Sequence, residues 1–263
     1  MPSRPSAVRI TLALLGAARD EPLTTVMLIA AGDVLRLSSN SMRIALSRLT
    51  STGDVVTKSR GVYALSKSRK ESFEHVRRYR TVSAQRTKWN GGFFGVLTAD
   101  LPRRNATLVR RRERALDLVG FRPFTHGLFI RPDNLGRDSV TAQLQRLGLD
   151  EDAELIALTL DDRQLAKAQR AWPVKADEER ALALAQKIRT LLPQMSRRPP
   201  REVAAQSFWL GDEVLRFLAR DPLLPEDWAD PQPRKTLAQL MSELDERGQQ
   251  VWRSLLENLE KAA

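Results

Sequence analysis

Apolar and polar residues alternate with a helical period over the first 50 residues of the chain. Between residues 7 and 17 the apolar side chains recur at the spacing of one helix face, which predicts a helix packed on a core. A second, shorter helix is expected to begin at Pro22 or Leu23, since proline fits a first helical turn, and to end near Gly32.

A third helix is predicted over residues 39–49, between the polar run that begins at Ser38 and the break at Gly53. Ser, Asn and Thr favour the first positions of helices, and this run opens with four such residues. Met42, Ala45, Leu46 and Leu49 repeat at i, i+3, i+4 and i+7 and are expected to face inward. The residues then left outside, and predicted to contact DNA, are Ser39, Asn40, Ser41, Arg43, Ser47 and Arg48.

After Gly53 the period changes from helix to strand. The β-prone runs 55–57 and 62–65 are joined by a basic, glycine-containing segment, which predicts a hairpin carrying Lys58 and Arg60 near its tip. Three helices followed by a basic hairpin is the order of a winged helix-turn-helix, and residues 1–67 are predicted to form this DNA-binding domain. The first 70 residues carry 11 basic and four acidic side chains, as a phosphate-binding surface requires.

Several of these residues have a second interpretation. Arg43 and Arg48 lie five residues apart on one helix, so they cannot point the same way, and Arg48 could instead pack onto the hairpin. Asn40 and Ser41 could act only as helix caps. Lys58 and Arg60 could serve solubility rather than contact phosphates or a minor groove.

The rest of the chain divides by pattern into three parts. Residues 68–88 are polar and basic and are predicted to connect two domains. Residues 89–162 follow the order strand, helix, strand, strand, helix, strand, which predicts a ferredoxin-like βαββαβ domain. Residues 163–263 are predicted to be a helical C-terminal domain, so the expected fold class is α+β.

The helix predicted at about residues 103–119 carries many arginines in a short stretch. Such a cluster could bind the phosphates of a ligand, contact flanking DNA, or form a solvated surface. The candidate effector-binding residues are Arg103, Arg104, Arg110, Arg111, Arg112 and Arg114.

Composition narrows the functional classes. The chain has 43 basic against 32 acidic residues, a net charge of +11 that favours a polyanionic partner. It has no cysteine and two histidines, His75 and His126, in no metal-binding spacing, so neither a metal nor a cofactor is expected. No stretch approaches the roughly 18 consecutive apolar residues of a membrane span, which predicts a soluble, cytoplasmic protein without a membrane partner.

An enzymatic alternative attaches to the middle domain. A metal-dependent nuclease would need acidic residues clustered at strand ends, and the sequence offers Asp100, Asp161 and Asp162 there. Adjacent carboxylates at a strand end more often serve turns and caps, so no catalytic residue is expected.

Three segments together resemble the PaaX-type transcriptional regulators of aromatic-acid catabolism. They are the 42–49 helix with its Arg-x-Ala-Leu-Ser-Arg-Leu pattern, the stretch from Trp89 to Pro132 with its arginine-rich helix, and Phe217 to Pro225 followed by Trp228. The archetype of this family represses phenylacetate degradation. The resemblance implies a winged-helix DNA reader that binds a palindromic operator as a homodimer, a ferredoxin-like middle domain and a helical C-terminal domain. It also implies a repressor released by an aryl-coenzyme A thioester.

Overall fold

The N-terminal elements are three helices and a small antiparallel sheet. The computed structural model describes residues 6–18, 21–70, 73, 86–102 and 104–261. The first elements are α1 (Ala7–Ala17), β1 (Leu23–Thr24), α2 (Thr25–Val34), α3 (Ser39–Ser51), β2 (Val55–Ser59) and β3 (Val62–Leu65). The three strands pair in the order β1-β3-β2.

The second helix begins later than the sequence suggests. Leu23 and Thr24 pair with β3 instead of starting the helix, and the Thr24 hydroxyl accepts a hydrogen bond from the Met27 amide at 3.1 Å. This cap places the start of α2 at Thr25, and the helix continues past Gly32 to Val34. The prediction of a start at residue 22 or 23 was therefore wrong.

The hairpin is also longer than predicted. β2 runs through Lys58 to Ser59, so Lys58 lies within the strand and Arg60 stands in the turn. Gly61 in that turn has a φ of 76°, a left-handed conformation that a glycine adopts without steric cost.

The following elements form a four-stranded antiparallel sheet with helices. They are β4 (Phe93–Leu97), α4 (Ala106–Leu118), β5 (Arg122–Thr125), β6 (Leu128–Pro132), α5 (Arg137–Arg146) and β7 (Leu155–Leu158). The strand order is β5-β6-β4-β7. Alternation along β4 buries Phe94 and Val96 in one apolar cluster and Phe93 in another, so both faces of the sheet carry packed side chains.

The C-terminal part is helical. Its helices are α6 (Asp162–Gln169), α7 (Val174–Leu191), α8 (Pro200–Leu218) and α9 (Gln232–Lys261). Mixed helices and antiparallel sheets confirm the predicted α+β class. Among the described residues no helix has both the length and the apolar character that crossing a membrane requires.

The chain divides into two compact units, and this division differs from the three domains expected from the sequence. The first unit comprises Met1–Arg77, Ala185–Leu215 and Gln239–Ala263, and the second comprises Arg78–Leu184 and Arg216–Ala238. Residues predicted to form a separate helical domain thus belong to both units. The reason is burial: Phe208 and Trp252 pack on the core of the N-terminal helices, whereas Leu223 and Leu224 pack on the sheet of the second unit.

Candidate nucleic-acid interface

Helix α3 begins at a polar cap. The Ser38 hydroxyl accepts a hydrogen bond from the Ser41 amide at 3.2 Å, and the two hydroxyl groups lie 2.8 Å apart. Ser38 is thus the cap, while Ser39 and Asn40 stand exposed in the first turn. The amide groups of that turn make the start of α3 favourable for an anionic group.

One face of α3 is fully buried, as the sequence predicts. Met42, Ala45, Leu46 and Leu49 are at most 3% exposed and belong to the core side of the helix. The prediction of this inward face is confirmed. On the other side, Ser39, Asn40, Arg43, Ser47 and Arg48 are exposed and Ser41 is half-buried.

The same outward face holds a residue that the sequence reasoning missed. Ile44 is 61% exposed, although it sits between the buried Met42 and Ala45. Its helical position predicted this exposure, because it lies three residues before Ser47 and four before Arg48. Ile44 was missed because only polar and charged residues were expected on a DNA-contacting surface.

Arg43 and Arg48 flank the outward face on its two sides. Five residues of helix separate their side chains by about 140° around the axis. Both are exposed, and among the described residues neither forms an ion pair with a carboxylate. Both guanidinium groups therefore stand in solvent at the edges of the surface that Asn40 and Ser47 occupy.

The hairpin is tied to the helices at its turn. The Gly61 carbonyl accepts hydrogen bonds from the Thr25 amide at 2.8 Å and from the Thr25 hydroxyl at 3.1 Å. These bonds fix the turn to the start of α2. Lys58 and Arg60 remain exposed on the hairpin, so their charges are held at a defined place near the helices.

Acidic groups near this surface are paired. Residues 34–70 contain eight basic side chains and one acidic side chain, Asp54. Arg69 Nε lies 2.6 Å from Asp54 Oδ1, and this hydrogen bond holds the pKa of the Asp54 carboxyl below its ordinary value. Asp33, just before this segment, pairs with Arg201 of α8. The charge left on α3 and the hairpin is positive, which suits a polyanion.

The arginine cluster of the second unit separates into buried and exposed members. Arg112 is 4% exposed, and its guanidinium binds Asp150 through hydrogen bonds of 2.7 and 2.9 Å and the Pro102 carbonyl at 3.1 Å. These contacts raise the pKa of Arg112 and lower that of Asp150. The prediction that Arg112 binds an effector is corrected, because the guanidinium is buried and its Nε and Nη2 groups donate to partners within the protein.

The helical period explains this misassignment. Arg112 lies three and four residues before Ala115 and Leu116, which are both fully buried, so it occupies the inward face of α4. The arginines that remain exposed are Arg104, Arg110, Arg111 and Arg114. Arg103 lies outside the described residues, as do His75 and most of the predicted 68–88 connector.

A second buried arginine was not singled out from the sequence. Arg131 in β6 is 1% exposed and donates to the carbonyls of Val119 and Pro132 and to Asn134 Oδ1. Burial lowers its pKa to about 9. Asn134 in turn donates to the Leu223 carbonyl at 2.7 Å, so this network serves to hold the second unit together.

The acidic residues of the nuclease alternative stand in ordinary structural settings. Asp161 caps α6: its carboxylate accepts from the Gln164 amide at 2.8 Å, and the Gln164 side chain accepts from the Asp161 amide at 3.1 Å. Asp100 is exposed in the loop after β4. Within the described part of the chain, no three His, Cys, Asp or Glu side chains are grouped as a metal site would need.

Comparison with known proteins gives a likeness in fold. No protein-family model matches the chain, and no curated protein matches it significantly. Among solved structures, it is similar to the uncharacterized protein Rv0674 from Mycobacterium tuberculosis, with a TM-score of 0.58 and 19% sequence identity. The match covers 94% of this chain and 98% of that one. At this identity the likeness establishes a shared fold and nothing about function.

Proposed function

We propose that this chain is a DNA-binding transcriptional regulator that reads its site with helix α3. The observation that carries the proposal is the outward face of α3, where Asn40, Arg43, Ser47 and Arg48 are all exposed and no acidic residue intervenes. Hydrogen-bonding side chains of this kind, flanked by arginines, are those that read base edges and hold phosphates.

The order of elements supports a winged helix-turn-helix in the first unit. Helices α1, α2 and α3 precede the β2–β3 hairpin, and β1 joins the sheet at its other edge. In such a domain the second helix of the pair enters the major groove and the hairpin contacts the neighbouring backbone or minor groove. The exposed charges of Lys58 and Arg60 on the hairpin support this role. In the second unit, the strand order β5-β6-β4-β7 supports a ferredoxin-like sheet.

Helix α3 has suitable dimensions for this role. Its 13 residues span about 20 Å at 1.5 Å per residue, and its outward face has no bulky aromatic side chain. An α-helix with its side chains is about 10–12 Å in diameter, which fits a major groove about 12 Å wide. The capped start of α3 also offers backbone amides to a phosphate.

The regulator is proposed to act as a homodimeric repressor of an aromatic-acid catabolic operon, released by an acidic aryl-coenzyme A thioester. The resemblance of its three sequence segments to PaaX-type regulators supports this part. The exposed arginines Arg104, Arg110, Arg111 and Arg114 offer charges that could hold coenzyme A phosphates. Thermal unfolding of the full chain tests the proposed effector, since a bound ligand raises the melting temperature. The melting temperature is compared in the presence of phenylacetyl-coenzyme A, free phenylacetate and coenzyme A.

The DNA-binding proposal is tested by selection from random duplexes. The full-length protein is mixed with a random double-stranded library at moderate salt, bound duplexes are amplified, and the enriched sequence is measured by gel shift. Enrichment of one sequence, bound at least 100-fold more tightly than a scrambled duplex, is the expected result. Equal affinity for both duplexes would overturn the proposal.

Two arginine variants make the test specific to α3. Arg43→Ala is expected to weaken binding to the enriched duplex by about 10- to 100-fold, because it removes one charged hydrogen-bonding group from the interface. Arg189→Ala on α7, which also removes an exposed arginine, is the matched control and is expected to bind as the wild type does. Equal reductions in affinity for both variants would mean that net charge, and not α3, determines binding.

A further inference from the structure

Ile44 is an apolar side chain at the centre of the polar face of α3. Its exposed fraction is 61%, larger than that of Val26, Leu97 or Leu182, which are also exposed. The other apolar residues of the same helix are at most 3% exposed. The helix therefore places one large alkyl group in solvent while it buries all the others.

The helical geometry locates Ile44 among its neighbours. At 100° per residue, Asn40, Ile44, Ser47 and Ser51 lie within about 60° of one another and opposite the buried face. Arg43 and Arg48 lie on either side of this stripe. Ile44 is thus one of the side chains that point furthest from the protein core.

Neither packing nor helix stability accounts for isoleucine at this position. Ile44 belongs to none of the apolar clusters among the described residues, so it does not support the core. As a β-branched residue it also favours the helix less than alanine, leucine or a long polar residue would. Ile44 is therefore free to contact a partner that offers it an apolar surface.

We propose that Ile44 is a specificity-determining residue that contacts the 5-methyl group of thymine in the major groove. This inference rests on the proposed function, since it assigns a role within the same DNA-reading surface. The thymine methyl is the apolar group that bases display in the major groove, and apolar side chains read it by contact. The polar neighbours Asn40 and Ser47 would read adjacent base edges by hydrogen bonds, so that Ile44 selects thymine among them.

Deoxyuridine tests this role without any change in the protein. Uracil pairs with adenine as thymine does and lacks only the methyl group. The duplex enriched by selection is prepared with thymine and with deoxyuridine throughout, and the dissociation constant of the full-length protein is measured for each. The wild type is expected to bind the uracil duplex about 4-fold more weakly for each methyl group that Ile44 touches, or about 16-fold for a dimer on two half-sites.

Variants at residue 44 connect the methyl group to the side chain. Ile44→Ala is expected to bind the thymine duplex as weakly as the wild type binds the uracil duplex, and to bind both duplexes equally. Ile44→Val, which retains branched methyl groups, is expected to keep most of the preference for thymine. Arg43→Ala is the control, because it should bind both duplexes more weakly and still prefer thymine.

The outcomes separate the two proposals. If selection enriches no sequence, the proposed function fails, and the role of Ile44 fails with it. If a sequence is enriched but the wild type binds its thymine and uracil forms equally, the function stands and the role of Ile44 is overturned. Retention of the full thymine preference by Ile44→Ala would overturn it as well. If instead the preference for thymine is lost in Ile44→Ala, replacing single thymines by deoxyuridine should identify one position in each half-site.

Discussion

Gly32 provides a sensitive test of how α2 and α3 pack. It lies in the last turn of α2, two residues before the helix ends at Val34, and replacing a helical glycine by alanine normally stabilises the helix by up to about 1 kcal/mol. In this structure a Cβ atom at residue 32 would lie 2.5 Å from Met42 Cγ and 3.0 Å from its Sδ. Met42 is fully buried, and its Cγ is close to the backbone, so it cannot move aside freely.

The two effects oppose each other, and the steric one is expected to be larger. Inserting a methyl group into a packed core costs about 1–3 kcal/mol, against a gain of about 1 kcal/mol in helix propensity. Gly32→Ala should therefore destabilise the protein by about 1 kcal/mol, which lowers its melting temperature by about 3 °C. Because Met42 belongs to α3, the variant should also weaken binding to the selected DNA.

Gly211 is the matched control for this prediction. It also lies within a helix, α8, and is buried, but the nearest atom to its added Cβ is Met241 Cε at 3.4 Å, the far end of a flexible side chain. Gly211→Ala should stabilise the protein, so the two variants are expected to differ by about 2 kcal/mol. Chemical denaturation of both variants measures this difference. Equal stabilisation of the two proteins would refute the close approach of α2 to α3.

Further predictions concern the second unit. Asp150→Asn should cost about 3 kcal/mol in the free energy of unfolding, because Arg112 then stays buried without its carboxylate. The lowered pKa of Asp150 means that its stabilising contribution is complete above the ordinary value of 3.8 and is lost as the pH falls through the lower folded value. Gly120→Ala should cost about 2–4 kcal/mol, because φ there is +87° and the added Cβ would lie 2.8 Å from Pro222 Cα.

Controls for these predictions are available in the same unit. Gly91 has a similar φ of +90° with no atom within 4 Å of an added Cβ, so Gly91→Ala should be destabilised by about 1 kcal/mol. Replacing Arg112 and Asp150 together by Met and Leu should cost less than Asp150→Asn alone, because no buried charge is left unpaired. Acid denaturation followed by circular dichroism checks the role of Asp150. Below pH 3.8 the stability of Asp150→Asn should fall less steeply with falling pH than that of the wild type. If the stability of both proteins fell equally steeply, the role assigned to this carboxyl would be contradicted.

Much of the local structure could be predicted from periodicity. The bounds of α1 and the inward face of α3 followed from apolar spacing alone, since a helix buries residues three and four apart. The start of α2 did not, because Leu23 and Thr24 are held by a strand that comes almost 40 residues later. Pairing between distant segments leaves little signal in the local sequence.

In the candidate site, too, local spacing predicted some features and distant contacts decided others. Charge and spacing identified Arg43 and Arg48, but a search for polar residues passed over Ile44, whose exposure follows from the same helical period. In the arginine-rich helix, composition alone does not distinguish buried from exposed arginines, so all of them were predicted to be candidates for effector binding. The period and the partner Asp150, 38 residues away, together make Arg112 a buried structural residue.

The sequence by itself determined the α+β class, the three N-terminal helices with the hairpin after them, the positive charge of the N-terminal region and the outward face of α3. These properties depend on neighbours within a few turns of chain or on composition. Only the tertiary structure decided how the C-terminal helices divide between two units and which arginines remain exposed. Those outcomes depend on which apolar surfaces meet and which charges find a buried partner, and both are settled by packing between residues far apart in the chain.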